Sequence, residues 1–176
     1  MTFSNPGGAA AISGAEAYVQ ALLDLIGDRD PLEIQAELLP WLDERLADVD
    51  DEELRRPEAP GKWSVLEVVQ HLADSEMING YRLRIMLEQD DPPIQGYDQD
   101  RWASVFRYRE VELEMAMAQL RALRAANLRI WRSLSDEQLA RVGRHSERGL
   151  ETVGHLIRLV GAHDLVHRRQ INRILG

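Results

Sequence analysis

The chain has 176 residues, which is the usual size of one domain and enough to bury a substantial core. Its 30 acidic and 21 basic side chains give a net charge of −9, which disfavours binding to nucleic acids and to anionic membrane surfaces. Cysteine is absent, which excludes disulfides, thiolate metal clusters and a thiol nucleophile supplied by the chain itself.

The N-terminal segment MTFSNPGGAAAISG has neither the basic start nor the long apolar stretch of a secretory signal. We expect residues 1–13 to form a flexible tail and residues 14–176 to form a single domain. No uninterrupted run of about 18 apolar residues occurs, so the sequence predicts no membrane span. Together these features predict a cytoplasmic protein without membrane partners.

Two amphipathic helices are predicted in the first third of the chain. Apolar residues recur at spacings of three and four over residues 15–26, which predicts a short first helix. Asp30 and Pro31 have the chemistry of an N-cap and a first helical position, and an apolar stripe then continues to Leu46. Pro40 predicts either a kink in this second helix or its true start.

Three long helices are predicted in the rest of the chain. Ser64 and Glu67 have the spacing of a capping box, and the helix that they begin should extend to about Glu88. Apolar residues at alternating spacings of three and four predict a bundle helix over residues 108–134 and a last helix over residues 150–175. No strand pattern of comparable strength occurs, so the sequence predicts an all-α fold.

The predicted architecture is a four-helix bundle with a short extra N-terminal helix that packs across the bundle or against a partner. A long connection separates bundle helices 2 and 3. Residues 92–104 of this connection include Tyr97 and Trp102, and unusually long connections in compact domains often have a function. We therefore expect this loop to form a rim over a functional site.

Residues 64–72 and 148–156 share the pattern Leu-Glu-x-Val-x-His-Leu. An internal duplication of a helix pair would explain this match. Two helix starts with the same capping requirements would explain it equally well, so the sequence leaves both origins open.

His163 and His167 lie on the apolar stripe of the last helix, so both rings should point into the bundle. Burying two imidazoles is costly unless their nitrogens have partners, and one divalent cation would supply a partner to each. The i, i+4 spacing places the rings about 6 Å apart, where one ion can bind both. Two core histidines bonded to carbonyls or water are the alternative, but the paired spacing favours a metal.

Any third ligand must come from elsewhere in the chain. His155 lies about 12 Å from His163 along the helix axis, too far to share an ion with the pair. His145 lies in a polar loop and is expected to be solvated. His71 lies on another helix at the flank of its apolar stripe, and the periodicity leaves its role as a ligand or as a flank residue open.

Four further polar residues lie near these histidines in the sequence or on the bundle helices. Asp164 occupies the place that the general-base glutamate has in the zinc-protease motif His-Glu-x-x-His, but its side chain is one methylene shorter, which disfavours a protease. Asp74, Glu76 and Asn127 are candidate groups around a metal or a substrate, although ordinary positions on helix surfaces are favoured for each.

Three segments in the same order resemble the DinB/YfiT-like superfamily of bacterial four-helix-bundle proteins. They are KWSVLEVVQHLADSE (62–76), RLRIMLEQDDPPIQGYDQDRWA (82–103) and GAHDLVHRRQI (161–171). The resemblance covers most of the chain, from about Leu32 onward. It implies a divalent metal site, usually of zinc or nickel, whose ligands are the histidines at the matching positions: His71, His163 and His167.

The resemblance also implies an activity. Characterised branches include bacillithiol or glutathione S-transferases and a mycothiol-dependent maleylpyruvate isomerase, which implies a metal-dependent enzyme that activates a low-molecular-weight thiol for transfer to a small electrophile. A hydrolase with metal-bound water as its nucleophile is one alternative. A non-catalytic stress-response or metal-binding bundle, whose ion only ties helices together, is another. Since related proteins often form dimers, we predict a homodimer.

Overall fold

The computed structural model describes residues 9–176, with side chains from residue 14 onward. The helices in this part of the chain are α1 Ala9–Ile26, α2 Pro31–Leu46, α3 Asp51–Arg55, α4 Val65–Glu88, α5 Gln99–Val105, α6 Leu113–Trp131, α7 Asp136–Leu139 and α8 Val153–Leu175. The strands are β1 Pro93–Ile94, β2 Val142–His145 and β3 Gly149–Thr152. Residues 1–8 of the predicted tail lie outside the described residues, and α1 begins at Ala9, earlier than the predicted start at Ala15.

Helices α2, α4, α6 and α8 form a four-helix bundle, which confirms the predicted all-α fold. Both α2 and α4 pack against α6 and α8. The extra helix α1 packs against α8 of the bundle. Of the two predicted placements, against the bundle or against a partner, this contact agrees with the first. Within residues 9–176, no helix has both the length and the apolar character needed to cross a bilayer.

The predicted helix starts agree with the observed capping contacts. Ser64 Oγ accepts a hydrogen bond from the backbone N–H of Glu67, and the Glu67 carboxylate accepts one from the backbone N–H of Ser64. Asp30 caps α2, which begins at Pro31 and contains Pro40 in its interior. Pro40 therefore does not mark the start of α2. These contacts supply partners for backbone donors that the helix itself leaves unpaired.

The first half of α4 is enclosed on all sides. Every residue from 65 to 76 is buried, including six polar ones: Glu67, Gln70, His71, Asp74, Ser75 and Glu76. A buried polar side chain is costly unless it has a hydrogen-bonding partner or a counter-charge. The polar residues of α4 are therefore expected to form specific contacts, and these contacts organise the site.

The prediction of one continuous helix over residues 108–134 is wrong at both ends. Tyr108–Glu110 forms a separate 3-10 turn, and α6 extends only from Leu113 to Trp131. Tyr108 is buried and its hydroxyl donates to Asp74 Oδ2 on α4 at 2.5 Å. This contact holds the turn against α4 and separates it from α6.

A small three-stranded sheet forms beside the bundle. β1 pairs in parallel with β2, and β2 pairs antiparallel with β3. Ile94 lies opposite His145 in this register, and alternation along β2 exposes Arg144 and buries His145. The prediction that His145 is solvated is therefore wrong: the residue is only 3% exposed, because pairing with β1 turns its ring inward.

The sequence match between residues 64–72 and 148–156 does not correspond to a repeated structure. Leu66 and Glu67 lie in the first turn of α4, whereas the matching Leu150 and Glu151 lie in β3. The two copies thus adopt different local structures over part of the match, which argues against a duplicated helix pair.

Candidate metal centre

The three histidines identified from the sequence converge between two helices. His71 lies on α4, and His163 and His167 lie one turn apart on α8. Nε2 of His163 is 3.1 Å from Nε2 of His71 and 3.0 Å from Nε2 of His167. Among the described residues, these three form a group whose potential ligand atoms all lie within 4.8 Å of one another. Packing of α4 against α8 therefore brings the third histidine to the predicted pair.

The three imidazoles are neutral near pH 7. Burial, reinforced by the neighbouring imidazoles, lowers the pKa of His71 and of His163 well below the usual 6.5. Burial also lowers the pKa of His167, to about 4, although a hydrogen bond to Gln170 opposes the shift. Each ring therefore retains one nitrogen lone pair, which is the form that binds metal ions.

Neighbouring side chains orient two of the rings. His167 Nδ1 lies 2.9 Å from Gln170 Oε1, which can only accept a hydrogen bond, so Nδ1 carries the proton and Nε2 has its lone pair toward the cluster. The His71 ring packs 4.9 Å from the Trp63 ring, measured between centroids, and its Nε2 lies 3.4 Å from Ser75 Oγ. The periodicity argument did not single out Gln170, Ser75 or Trp63.

The geometry fits a small divalent cation. A neutral imidazole repels another through its lone pair unless a proton or a cation lies between the two nitrogens. Zinc binds histidine nitrogens at about 2.0–2.1 Å, and tetrahedral geometry then places the nitrogens roughly 3.3 Å apart. The observed Nε2 separations of 3.0 and 3.1 Å are close to this value. Three neutral nitrogen donors also leave a fourth position for a substrate.

Replacing Gln170 with leucine should weaken divalent-metal binding by about 10–100-fold, because the substitution removes the acceptor that orients His167. Gln170→Glu is the matched control, since a carboxylate retains an acceptor near the same position. Competition with a chromophoric chelator would measure both affinities. Equal weakening by the two substitutions would show that the acceptor has no role.

Two spaces reach the cluster. A cavity of about 150 Å³ is lined by His163 together with residues of α1, α4, the loop after β1 and the β2–β3 hairpin. A wider groove of about 1490 Å³ is lined by His167 and Gln170. Tyr18, Gln99 and Asp100 line both spaces. The imidazoles therefore adjoin two spaces that share part of their lining.

The predicted rim loop, residues 92–104, lines part of the cavity, and both of its singled-out aromatic residues bear on it. Tyr97 lines the cavity, and its hydroxyl lies 3.2 Å from Ser75 Oγ. Trp102 does not line the cavity but packs against Tyr97, with ring centroids 4.5 Å apart. The side chain of Trp102 thus fixes the ring that faces the site.

The three candidate residues Asp74, Glu76 and Asn127 are buried, so the favoured expectation of surface positions is wrong. Asp74 accepts hydrogen bonds from Tyr108 and from Gln119 Nε2. Asn127 Nδ2 donates to the Glu76 carboxylate at 2.6 Å. These residues join α4 to α6 and to the 3-10 turn, and none makes a described hydrogen bond to the three histidines.

Asp164 is also engaged in the bundle interior. Its two carboxylate oxygens accept hydrogen bonds from Arg124 on α6, at 2.6 and 3.0 Å. The carboxylate therefore neutralises a buried guanidinium, which supports the sequence argument against a zinc-protease role. His155 lies outside the three-histidine group, as its distance along the helix predicted.

Two helices of the bundle bring three neutral imidazoles together. The protein is therefore a helical bundle with a candidate divalent-metal site. The sequence profile described as the DinB superfamily matches residues 40–171, about three quarters of the chain. The chain belongs to this superfamily. The match includes the three histidines and excludes α1.

Similar proteins are known in bacteria. A candidate metal-dependent hydrolase of Oceanobacillus iheyensis is 31% identical over 123 residues, which are 68% of this chain and 71% of the relative. YfiT of Bacillus subtilis, also named as a candidate metal-dependent hydrolase, is 28% identical over 130 residues, or 72% of this chain and 73% of YfiT. The solved structure of YfiT, described as having an unusual four-helix-bundle topology, superimposes with a TM-score of 0.72 at 24% identity. That superposition covers 97% of this chain and 91% of YfiT, and it shows the shared fold.

Proposed function

We propose that this chain is a divalent-metal-dependent enzyme that activates a low-molecular-weight thiol for transfer to a small electrophile. His71, His163 and His167 hold the ion, and zinc or nickel suits their neutral nitrogen donors. The observation that carries the proposal is that two spaces meet at the cluster, the cavity lined by His163 and the groove lined by His167. A thiol and an electrophile must both reach the ion, so a transfer reaction needs two spaces beside it. Hydrolysis needs one such space for its substrate, because the other reactant is water.

The bound ion would favour the thiolate form of a thiol near neutral pH. The chain contains no cysteine, so the reacting sulfur arrives with the cosubstrate. A bond forms between this sulfur and the electrophilic carbon, and the bond from that carbon to the leaving group breaks. The leaving group departs with the electron pair, and the proton that the thiol lost passes to the leaving group or to solvent.

Tyr97 and Ser75 supply hydroxyl groups beside the reacting atoms. Ser75 Oγ lies between the Tyr97 hydroxyl, at 3.2 Å, and His71 Nε2, at 3.4 Å. Burial raises the pKa of Tyr97, so its phenol keeps its proton at neutral pH. Tyr97 can therefore donate a hydrogen bond to the electrophile and orient it in the cavity.

A metal-dependent hydrolase is the second candidate, and the names given to the relatives favour it. Such an enzyme would use water in place of the thiol. Asp164 cannot serve as the carboxylate base of such an enzyme, because it is paired with Arg124. Activation of a thiol by the ion does not depend on such a base.

Assays with and without a thiol distinguish the two candidates. We expect metal-loaded protein to convert 1-chloro-2,4-dinitrobenzene with glutathione or cysteine into the thioether, and His163→Ala to lose this activity. 4-Nitrophenyl acetate without thiol is the hydrolysis probe. Thiol-independent turnover of the ester, lost in the same variant, would contradict thiol transfer and favour a hydrolase. Absence of both activities in metal-loaded protein would favour a bundle whose ion only ties helices together.

The predicted homodimer and the predicted lack of nucleic-acid and membrane partners remain proposals, as does the cytoplasmic location. The net charge of −9 supports the lack of polyanionic partners. Light scattering would test the assembly: we expect the mass of two chains, and the mass of one chain would contradict the dimer.

A further inference from the structure

Arg82 is a buried cation on the cavity side of α4. Arg82 is only 7% exposed, and it lines the same cavity as His163. Its guanidinium donates to the backbone carbonyl of Gln95 at 2.8 Å and to Asn79 Oδ1 at 3.4 Å, both of which are neutral. No carboxylate within the described part of the chain forms an ion pair with it. A buried guanidinium without a counter-charge is costly, and an anion in the cavity would offset that cost.

His145 adds a hydrogen-bond donor to the same cavity. Its Nδ1 accepts a hydrogen bond from the backbone N–H of Glu147 at 3.1 Å, so the proton of the neutral ring is on Nε2. Burial lowers the pKa of His145 to about 3, with further lowering by Arg148 and Arg82, which keeps the ring neutral at pH 7. The buried Nε2–H has no hydrogen-bond acceptor among residues 9–176. Buried donors of this kind need an acceptor, which a ligand can provide.

The other charges around the cavity leave the positive charge of Arg82 uncompensated by direct contact. Arg148 also lines the cavity, but its guanidinium is bound to both oxygens of Glu151. Burial lowers the pKa of Arg82 to about 10, so the guanidinium is still charged at neutral pH. Glu147 and Glu151 act on Arg82 through space. Within the described part of the chain, no ion pair joins Arg82 to any of the carboxylates that line the cavity, which are Asp98, Asp100 and Glu147.

The cation and the metal site are joined along one face of α4. Tyr97 connects them: its ring lies 5.9 Å from the guanidinium carbon of Arg82, and its hydroxyl contacts Ser75 beside His71. The spacing is four residues from His71 to Ser75 and seven residues from Ser75 to Arg82, which keeps the three side chains on one side of the helix. One small molecule in the cavity can therefore reach both ends.

We propose that the cavity beside His163 binds a substrate carboxylate, which accepts hydrogen bonds from the Arg82 guanidinium and from His145 Nε2–H. The inference rests on the proposed function, because it defines the substrate as a small carboxylic acid whose reacting atom faces the three histidines. A guanidinium binds the two oxygens of a carboxylate through parallel N–H donors. One cation and one neutral donor suit a single negative charge better than the double charge of a phosphate, especially near Glu147 and Glu151.

Matched ligands test this site in metal-loaded protein. We expect 3-mercaptopropanoate to bind at least about tenfold more tightly than its methyl ester, as calorimetry would measure, because hydrogen bonds to a charged carboxylate are stronger than those to a neutral ester. Arg82→Met should remove this preference. Arg101→Met removes the same charge from an exposed residue that does not line the cavity, and it should preserve the preference.

Two further variants keep the test valid if Arg82→Met fails to fold. Arg82→Lys retains the charge and should retain part of the preference. His145→Gln keeps a donor and should also retain part of it, whereas His145→Phe keeps the ring volume but loses the donor and should weaken carboxylate binding. A preference that survives both Arg82→Met and His145→Phe, or tighter binding of inorganic phosphate than of butanoate, would overturn the proposal.

Metal-free protein separates this inference from the proposed function. Butanoate should shift the Arg82 Nε–H resonance in a titration followed by nuclear magnetic resonance, and butanamide should not. If neutral thiols fail to bind metal-loaded protein while butanoate still binds through Arg82, thiol transfer fails and the carboxylate site stands. If thiols react while butanoate causes no shift, the carboxylate site fails alone.

Discussion

Replacement of Arg124 with leucine should lower the free energy of unfolding by about 3–5 kcal/mol, which is the usual cost of removing one partner from a buried ion pair. Arg124 Nε lies 2.6 Å from Glu76 Oε1, and its terminal nitrogens bond to Asp164. All three residues are at most 2% exposed. Without the guanidinium, two buried carboxylates would face each other. Burial already raises the pKa of Asp164 to about 6 with the arginine present.

Arg121→Leu provides the matched control, because Arg121 lies on the same helix and pairs with Asp43 while half exposed. A solvent-exposed pair contributes about 0–1 kcal/mol, so this variant should unfold almost like the wild type. Urea unfolding monitored by circular dichroism would compare the two. Equal, small effects would show that the buried network does not hold α4, α6 and α8 together.

His163→Ala should weaken divalent-metal binding by roughly a hundredfold or more. Structural zinc sites obtain about 10–16 kcal/mol from four ligands, so the loss of one ligand costs about 3 kcal/mol. His163 is the central ligand, since its Nε2 contacts those of both His71 and His167. The loss should therefore exceed that of Gln170→Leu, which only disturbs orientation.

His155→Ala is the control for this experiment, because His155 is on the same helix and outside the three-histidine group. Titration against a chromophoric chelator would give both affinities. If His155→Ala and His163→Ala weakened binding equally, the metal would not be held where the three imidazoles meet.

Local sequence signals predicted the bundle helices and two of the three histidines of the site. The Ser64 capping box and the Asp30 cap depend on residues a few positions apart, so the sequence displays them directly. His163 and His167 share one helix, and their spacing alone placed both rings on one face. His71 depended on the family resemblance, because only packing of α4 against α8 brings it to the pair.

The polar interior could not be predicted in the same way. Amphipathic periodicity assigns polar residues to the solvent face, but the first half of α4 is enclosed on every side. Glu76 and Asp164 are therefore buried, and their shared partner Arg124 is on a third helix, more than 40 positions away from Glu76. No local pattern relates these three residues.

The burial of His145 at the proposed carboxylate site was missed for a similar reason. His145 lies between charged and polar neighbours, which favours solvent exposure in a sequence-based reading. His145 lies in a strand of four residues that pairs with a strand of two residues. Neither strand is long enough to show the alternation of apolar and polar residues that marks a strand in a sequence. Burial of His145 beside Arg82 depends on this tertiary pairing.

The central claim is that one divalent ion is held by three imidazoles from two helices. Elemental analysis of protein purified without a histidine tag tests it most directly, with wild type and His71→Ala prepared in parallel. His71 is the ligand that crosses from α4 to α8, so a helical histidine pair alone would not depend on it. We predict about one metal ion per wild-type chain and a large loss in the variant. Negligible metal in both proteins, or equal metal in both, would contradict the account.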